Sequence, residues 1–348
     1  MGSMSSEDRV QQEFEENRCQ SCGRWDVEAE YQLPLCHECR TQLAKRPVPL
    51  WIKGTAAGVA LLLIYALTLF PSSLAAGIHY QRGKEAYAGH KNWTAVHEFE
   101  QAAERYPDST KITARLFLAY YHAGGINEAV QVFSKIGGEK AENAVIADEI
   151  NNAIDELDRR YYSDDELQGI YAEADLSLRI ANLEKYIADH PESASGRYYL
   201  ADSYFDAEQF AKVEEVILKL QETEPGFDDA ELLLAAAYRE LKQYDQATGI
   251  TESVLARNVE SDRALFALSR IELKQHKDEQ GLRDAEKAYQ LNPDSGAYIA
   301  NLALANHYNQ RLDERDRLAG LLPGREDYSQ QELDKLNSVF NETTAWRD

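Results

Sequence analysis

All four cysteines of this 348-residue chain fall between residues 19 and 39, in two pairs, Cys19-x2-Cys22 and Cys36-x2-Cys39. Each pair can turn two sulfurs toward one point, and together they supply the four thiolates of a tetrahedral metal site. Gly23, just after the second sulfur, permits the tight turn this needs. The competing chemistry is two disulfides, which an oxidising compartment would favour. Loops of two residues between cysteines are typical of metal or redox sites. The expectation is therefore a structural Zn2+ held by Cys19, Cys22, Cys36 and Cys39. Four protein ligands leave no open position for water. Neither pair reads C-x-x-C-H, because Gly23 and Arg40 follow, so haem attachment is not supported; His37 is a bystander.

No other constellation offers catalysis. The eight histidines are scattered, and H-E-x-x-H, G-x-S-x-G and a glycine-rich phosphate loop are all missing from the sequence. The expectation is a non-enzyme. Residues 1–53 hold seven Lys/Arg against nine Asp/Glu, so −2 of the net charge of −23 lies there and −21 follows residue 77. So acidic a body repels phosphate backbones and disfavours nucleic acid, while a basic protein partner is compatible with it.

The elements that must place these parts begin with an apolar stretch. Gly54 to Gln81 carries no Asp, Glu, Lys or Arg. Residues 54–77 would make a helix of roughly 36 Å, enough for one membrane span, flanked by Trp51 and Tyr80 as interfacial aromatics. Gly54 and Gly58 form a G-x-x-x-G pair that could join two spans into a dimer. Zinc thiolates favour a reducing compartment, and no cysteine follows residue 39. The expected orientation is N-terminus cytoplasmic, remainder extracytoplasmic. The opening "MGSMSS" fits an N-myristoylation pattern, but the preferred reading is a Met-Gly-Ser cloning remnant before Met4.

Beyond the span the sequence repeats. Pro191, Pro225 and Pro293 lie 34 and 68 residues apart, with Val259 in the skipped slot. Small or apolar residues recur in phase: Gly83, Ala95, Phe99 and Ala102; Leu116, Tyr120 and Ala129; Ala201, Tyr204 and Leu220; Ala235, Tyr238 and Ala247; Ser269, Gly281, Ala285 and Ala288. The register slips once. Pro107 and Pro191 are 84 apart, two periods and about one further helix, placed at residues 141–160. This pattern resembles the tetratricopeptide repeat (TPR), a pair of antiparallel helices in about 34 residues. Residues 17–41 likewise resemble a zinc ribbon. The resemblances imply an all-α chain: a TPR right-handed superhelix of six to seven helix pairs plus one extra helix, preceded by one transmembrane helix and the zinc-ribbon-like module. The expected divisions are 1–16 disordered, 17–41 module, 42–53 linker, 54–77 span, 78–323 array, and 324–348 capping helix and tail.

The TPR resemblance also implies a concave face lined by the first helix of each pair. It assigns Tyr80, Lys84, Tyr87, Tyr121, Tyr198, Asp202, Phe205, Arg239, Phe266, Arg270 and His307 to a groove for a protein or peptide partner. The carboxylate clamp of chaperone-tail receptors needs Lys and Asn at repeat positions 5 and 9, and neither stands there in any repeat. The functional expectation is a membrane-anchored scaffold for assembly or secretion of a bacterial cell-envelope complex. The alternative is a transmembrane signalling or regulatory protein whose repeats sense a ligand outside and whose ribbon contacts a cytoplasmic protein or nucleic acid. Deleting residues 1–45 separates the two, since only the second loses its output.

Overall fold

The computed structural model describes residues 18–28, 31–45, 48–136, 144–161 and 163–347, the side chains of 66–73 excepted. The expected disordered stretch 1–16, with its two terminal readings, lies outside them. The chain divides into two compact units, Met1–Pro71 and Ser72–Asp348.

In the first unit the backbone turns at Gly23, whose φ of +77° suits a residue without Cβ. The chain returns so that Val27 and Cys36 form an antiparallel bridge, and Cys36 then caps helix α1, His37–Ala44. Among the described residues of this unit, only Cys19 and Cys36 are buried.

Helix α2, Leu50–Ala88, starts in the first unit and continues into the second. The expected span 54–77 passes through 66–73, whose side chains lie outside the described ones. Among the described residues, no helix is long and apolar enough to cross a membrane.

The second unit is built from helix after helix: α3 (Asn92–Arg105), α4 (Thr110–Ala123), α5 (Ile126–Ile136), α6 (Ala144–Tyr161), α7 (Asp165–Tyr171) and α8 (Leu176–Asp189). There follow α9 (Ala194–Asp206), α10 (Phe210–Thr223), α11 (Asp228–Glu240), α12 (Tyr244–Arg257), α13 (Asp262–Lys274), α14 (Asp278–Leu291), α15 (Gly296–Tyr308), α16 (Leu312–Ala319) and α17 (Gln330–Phe340).

One turn recurs between them. His90, Gly124, Glu208, Lys242, His276 and Gln310 are left-handed, with φ between +56° and +86°. They follow one another at 34 residues, except for the 84 between Gly124 and Glu208. At each, the next N–H returns to the carbonyl five residues back, as from Gln209 to Tyr204 (2.8 Å) and from Lys277 to Glu272 (2.9 Å). The left-handed residue itself donates three residues back, as from Lys242 to Arg239 (3.1 Å). These are Schellman turns, which satisfy the last carbonyls of the first helix and reverse the chain into the second. Ser193, Ser261 and Ser295 then start α9, α13 and α15 by accepting from the backbone N–H three residues on. This is a TPR-type helical-repeat superhelix.

The pairs pack on their neighbours, giving three large successive clusters, with a small fourth one around Val254, rather than one central core. Phe99 and Phe117 are fully buried in the first, Leu183, Ile217 and Leu234 in the second, Leu273 and Leu318 in the third. Helix α6 packs on both α4 and α9, joining the first two pairs to the rest. Helix α17, started by a Ser329–Glu332 capping box, lays Leu333, Leu336 and Val339 on the third cluster and ends the stack.

The array also returns on itself. The amide of Val259 donates to the His90 carbonyl (3.1 Å), and Thr94 donates to Glu260 through its amide (2.8 Å) and hydroxyl (2.6 Å). The side-chain amides of Asn92 (2.9 Å) and Asn258 (3.2 Å) both donate to the His122 carbonyl. The turn between α2 and α3 and the end of α4 are thereby clasped to the turn before α13.

Candidate functional site

The cysteine centre is assembled by one turn, one bridge and one helix start. All four cysteines are free, and their sulfurs lie within 4.8 Å of one another, Cys22 and Cys36 at 3.6 Å. Metal–sulfur bonds of about 2.3 Å in a tetrahedron put sulfurs about 3.8 Å apart, so the four could hold one metal ion. Backbone amides prepare them for it. Hydrogen bonding from the Cys36 backbone, opposed by burial, brings the Cys19 thiol down to about 6. At Cys39 a hydrogen bond from Ser21 acts against the thiols of Cys22 and Cys36, which push it up to about 12. The cluster therefore gives up its protons unevenly, which is how crowded like charges behave before a cation neutralises them. His37 stands outside, its Nδ1 2.7 Å from Glu28, and Arg24 pairs with Glu38 at 2.7 Å.

The inner face of the array differs from an open, aromatic-lined groove. Tyr80 packs on Phe99 (5.8 Å between rings), with the Lys84 ammonium 5.9 Å above its ring. The Tyr87 and Tyr121 hydroxyls donate to Glu149 and Glu156 of α6. Tyr198 lies against Phe227 (5.4 Å), Asp202 accepts from Tyr171 (2.6 Å), and Phe205 packs on Phe210 (5.3 Å). Burial, then the neighbouring carboxylates, raises Tyr87, Tyr121 and Tyr171 well above the usual phenol range, so these hydroxyls stay donors. Much of the expected groove thus spends its polar atoms on neighbouring helices.

Near the clasp a cavity of about 180 Å³ is lined by Tyr121, Glu156, Arg160, Asp228, Arg257 and Arg263 among others. Its cations are all answered. Arg160 meets Glu156 (2.9 Å) and Glu224 (3.1 Å), Arg257 meets Asp228 (2.6 Å) and Glu231 (2.5 Å), and Arg263 meets Asp229. Arg160 and Glu224 are both buried, and each has a second partner, Glu156 for Arg160 and Arg159 (2.6 Å) for Glu224.

The far end of the inner face is different. Arg239 is buried against Glu240 (2.7 Å), and Lys274 reaches the same carboxylate at 3.5 Å. Arg270 lies over the rings of Phe266 (5.5 Å) and Trp346 (5.1 Å). Burial, then Arg239, brings Arg270 down to about 9, still cationic at neutral pH. Phe266 touches Tyr298 (5.3 Å), and His307 stands between Tyr308 and Phe340. Trp346 also caps Lys274 (4.7 Å) and faces Tyr308. The Arg347 guanidinium covers Tyr308 (3.6 Å) and donates to the Leu273 carbonyl (3.1 Å) and to Asp278.

Sequence reasoning missed Glu149, Glu156, Arg160, Lys274, Trp346 and Arg347. Lys274 sits one residue past the lining positions of its repeat. The other five lie in the extra helix or the tail, where the repeat gives no register.

No protein-family model matches the chain, and no curated protein sequence matches it. Among solved structures, a tetratricopeptide repeat protein from Parabacteroides merdae is 12% identical, over 77% of this chain and 99% of that one, with a TM-score of 0.44. MamA is 14% identical over 52% of this chain and 99% of its own, at 0.37. The TPR2AB domain of yeast Sti1, solved as a pHSP90 complex, is 16% identical over 77% and 99%, at 0.30. The TPR-type fold rests on the chain's own six turns and their 34-residue spacing, not on these scores.

Proposed function

We propose that this protein is a non-enzymatic scaffold, held in a bacterial envelope membrane by one helix, whose TPR-type array outside the cytoplasm holds a protein partner. What supports the anchor is α2. Leu61, Leu62, Leu63, Ile64 and Tyr65 are consecutive and each 58–68% exposed, so the helix is apolar on every side, as a lipid-facing helix is. The sequence continues uncharged through residues 66–70, with Thr68 its one polar side chain. Four thiolates in a tetrahedron suit zinc, and a thiolate site suits the reducing interior. The cysteine-free array suits the other side. Its charge steers a partner of basic overall character, and its inner face, bounded by Tyr198, Phe205 and Phe266, receives it.

The experiment is photocrosslinking in cells with a photoreactive residue at position 198, 205 or 266 of the full chain. A single captured protein, with the array cleaved by protease that leaves the inner membrane intact, is the expected result. Absence of any specific adduct at all three positions overturns the scaffold. Protection of the array until lysis overturns the orientation.

A further inference from the structure

The far end of the inner face carries more positive charge than it neutralises. Arg239 and Lys274 share Glu240. Arg270 has no ion pair or hydrogen bond among the described residues and is met only by ring faces. Ring quadrupoles attract a guanidinium but return less than a carboxylate, whose two oxygens fit its planar fork. The charge imbalance is local, because the chain as a whole is at −23.

What covers this spot is the segment that follows α17. Glu342 turns the backbone at φ +56° after α17, and Trp346 then settles on Arg270, Lys274 and Tyr308. The cover is pinned beside it by Arg347 on Asp278, the Leu273 carbonyl and the Tyr308 ring. It is a short irregular segment after α17 and belongs to no helix pair, so it can lift without disturbing one.

We propose that Arg239, Arg270 and Lys274 form a binding site for a carboxylate on an acidic peptide segment of the partner, and that Trp346 is the cover this carboxylate displaces. The proposal rests on the array being a partner-binding scaffold and names the chemistry one end of it takes. A partner steered in by the acidic body still presents individual carboxylates, and here they meet their complement.

The test uses the full chain with 5-fluorotryptophan, the Trp346 fluorine signal being assigned with W346F. Hexaglutamate is added at constant ionic strength, with hexalysine and inorganic phosphate as parallel arms. The expected result is a saturable shift of the Trp346 signal with hexaglutamate alone. Labelled hexaglutamate, followed by anisotropy, should bind W346A at least threefold more tightly than the wild type and R270Q at least tenfold more weakly. R270K, which keeps the charge but not the fork, should fall between them and guards against misfolding of R270Q. Equal affinity of R270Q and wild type overturns the site, and so does an equal shift with phosphate. Binding unaffected by W346A overturns the cover. Hexaglutamate binding without a crosslinked partner would leave this site standing and remove the scaffold; a captured partner without hexaglutamate binding would do the reverse.

Discussion

Glu272 faces Asp284 between α13 and α14, and the crowding favours a proton on Glu272. Burial, then the charge of Asp284, pushes Glu272 up to about 8 from an ordinary 4.5. The folded chain keeps a proton that the unfolded chain releases above pH 4.5. This contribution is therefore fully present below that pH and lost as pH rises toward 8. Gln at this position keeps a hydrogen-bond donor and cannot ionise. For a half-buried group, screening leaves about 1 kcal/mol. Glu272→Gln should match the wild type in Tm at pH 5 and exceed it by about 2–4 °C at pH 8; a constant difference across that range would refute the shared proton. The cysteines make a stronger claim at the same scale. Since Cys19 and Cys36 are the buried side chains among the described residues of their unit, a metal held there would take the place of a hydrophobic core, worth about 10–16 kcal/mol where zinc sites have been measured. Elemental analysis should find one equivalent of zinc in the wild type and none in Cys36→Ser, and chelation should loosen amides 19–36 in hydrogen exchange while leaving α9–α15 protected.

Among the elements, the recurring unit is a helix pair whose Schellman turn is left-handed at six places, only one of them glycine. The other five residues accept a strained φ because two backbone hydrogen bonds close around each. Helix-internal glycines then separate into two kinds. A Cβ at Gly83 would lie 2.6 Å from Phe99, which is fully buried between α2 and α3, so Gly83→Ala should cost about 1–3 kcal/mol despite a better helix propensity. At Gly249 in α12 a Cβ meets nothing within 4 Å, and Gly249→Ala should stabilise by about 0.5–1 kcal/mol. Urea melts of the two variants check both signs. The 34-residue period made these pairs readable, and the 84-residue gap made the extra helix readable, since each repeat must bury the same face against the next. The divided roles of the glycines were not readable, because propensity is local and the neighbour's side chain is not.

For the array as a whole, the clasp ties residues up to 169 apart, His90 and Val259. Asn258 is buried with its amide on the His122 carbonyl, and such bonds contribute about 1 kcal/mol each. Asn258→Ala combined with Thr94→Val should speed exchange of the Val259 amide at least fivefold while leaving α17 unchanged. Equal rates would mean that the two turns are held by packing alone.

By itself the sequence determined the repeat, its slip, the four-sulfur centre and the acidic character of the array, because periodicity, spacing and charge are properties of the chain read in order. Only the tertiary structure decided where Tyr87, Tyr121 and Asp202 place their polar atoms, that the array is clasped, and that Trp346 covers Arg270. Those depend on how far the array curls, which sums small rotations between successive pairs. No single repeat encodes that sum, so the partners it brings together cannot be read along the chain.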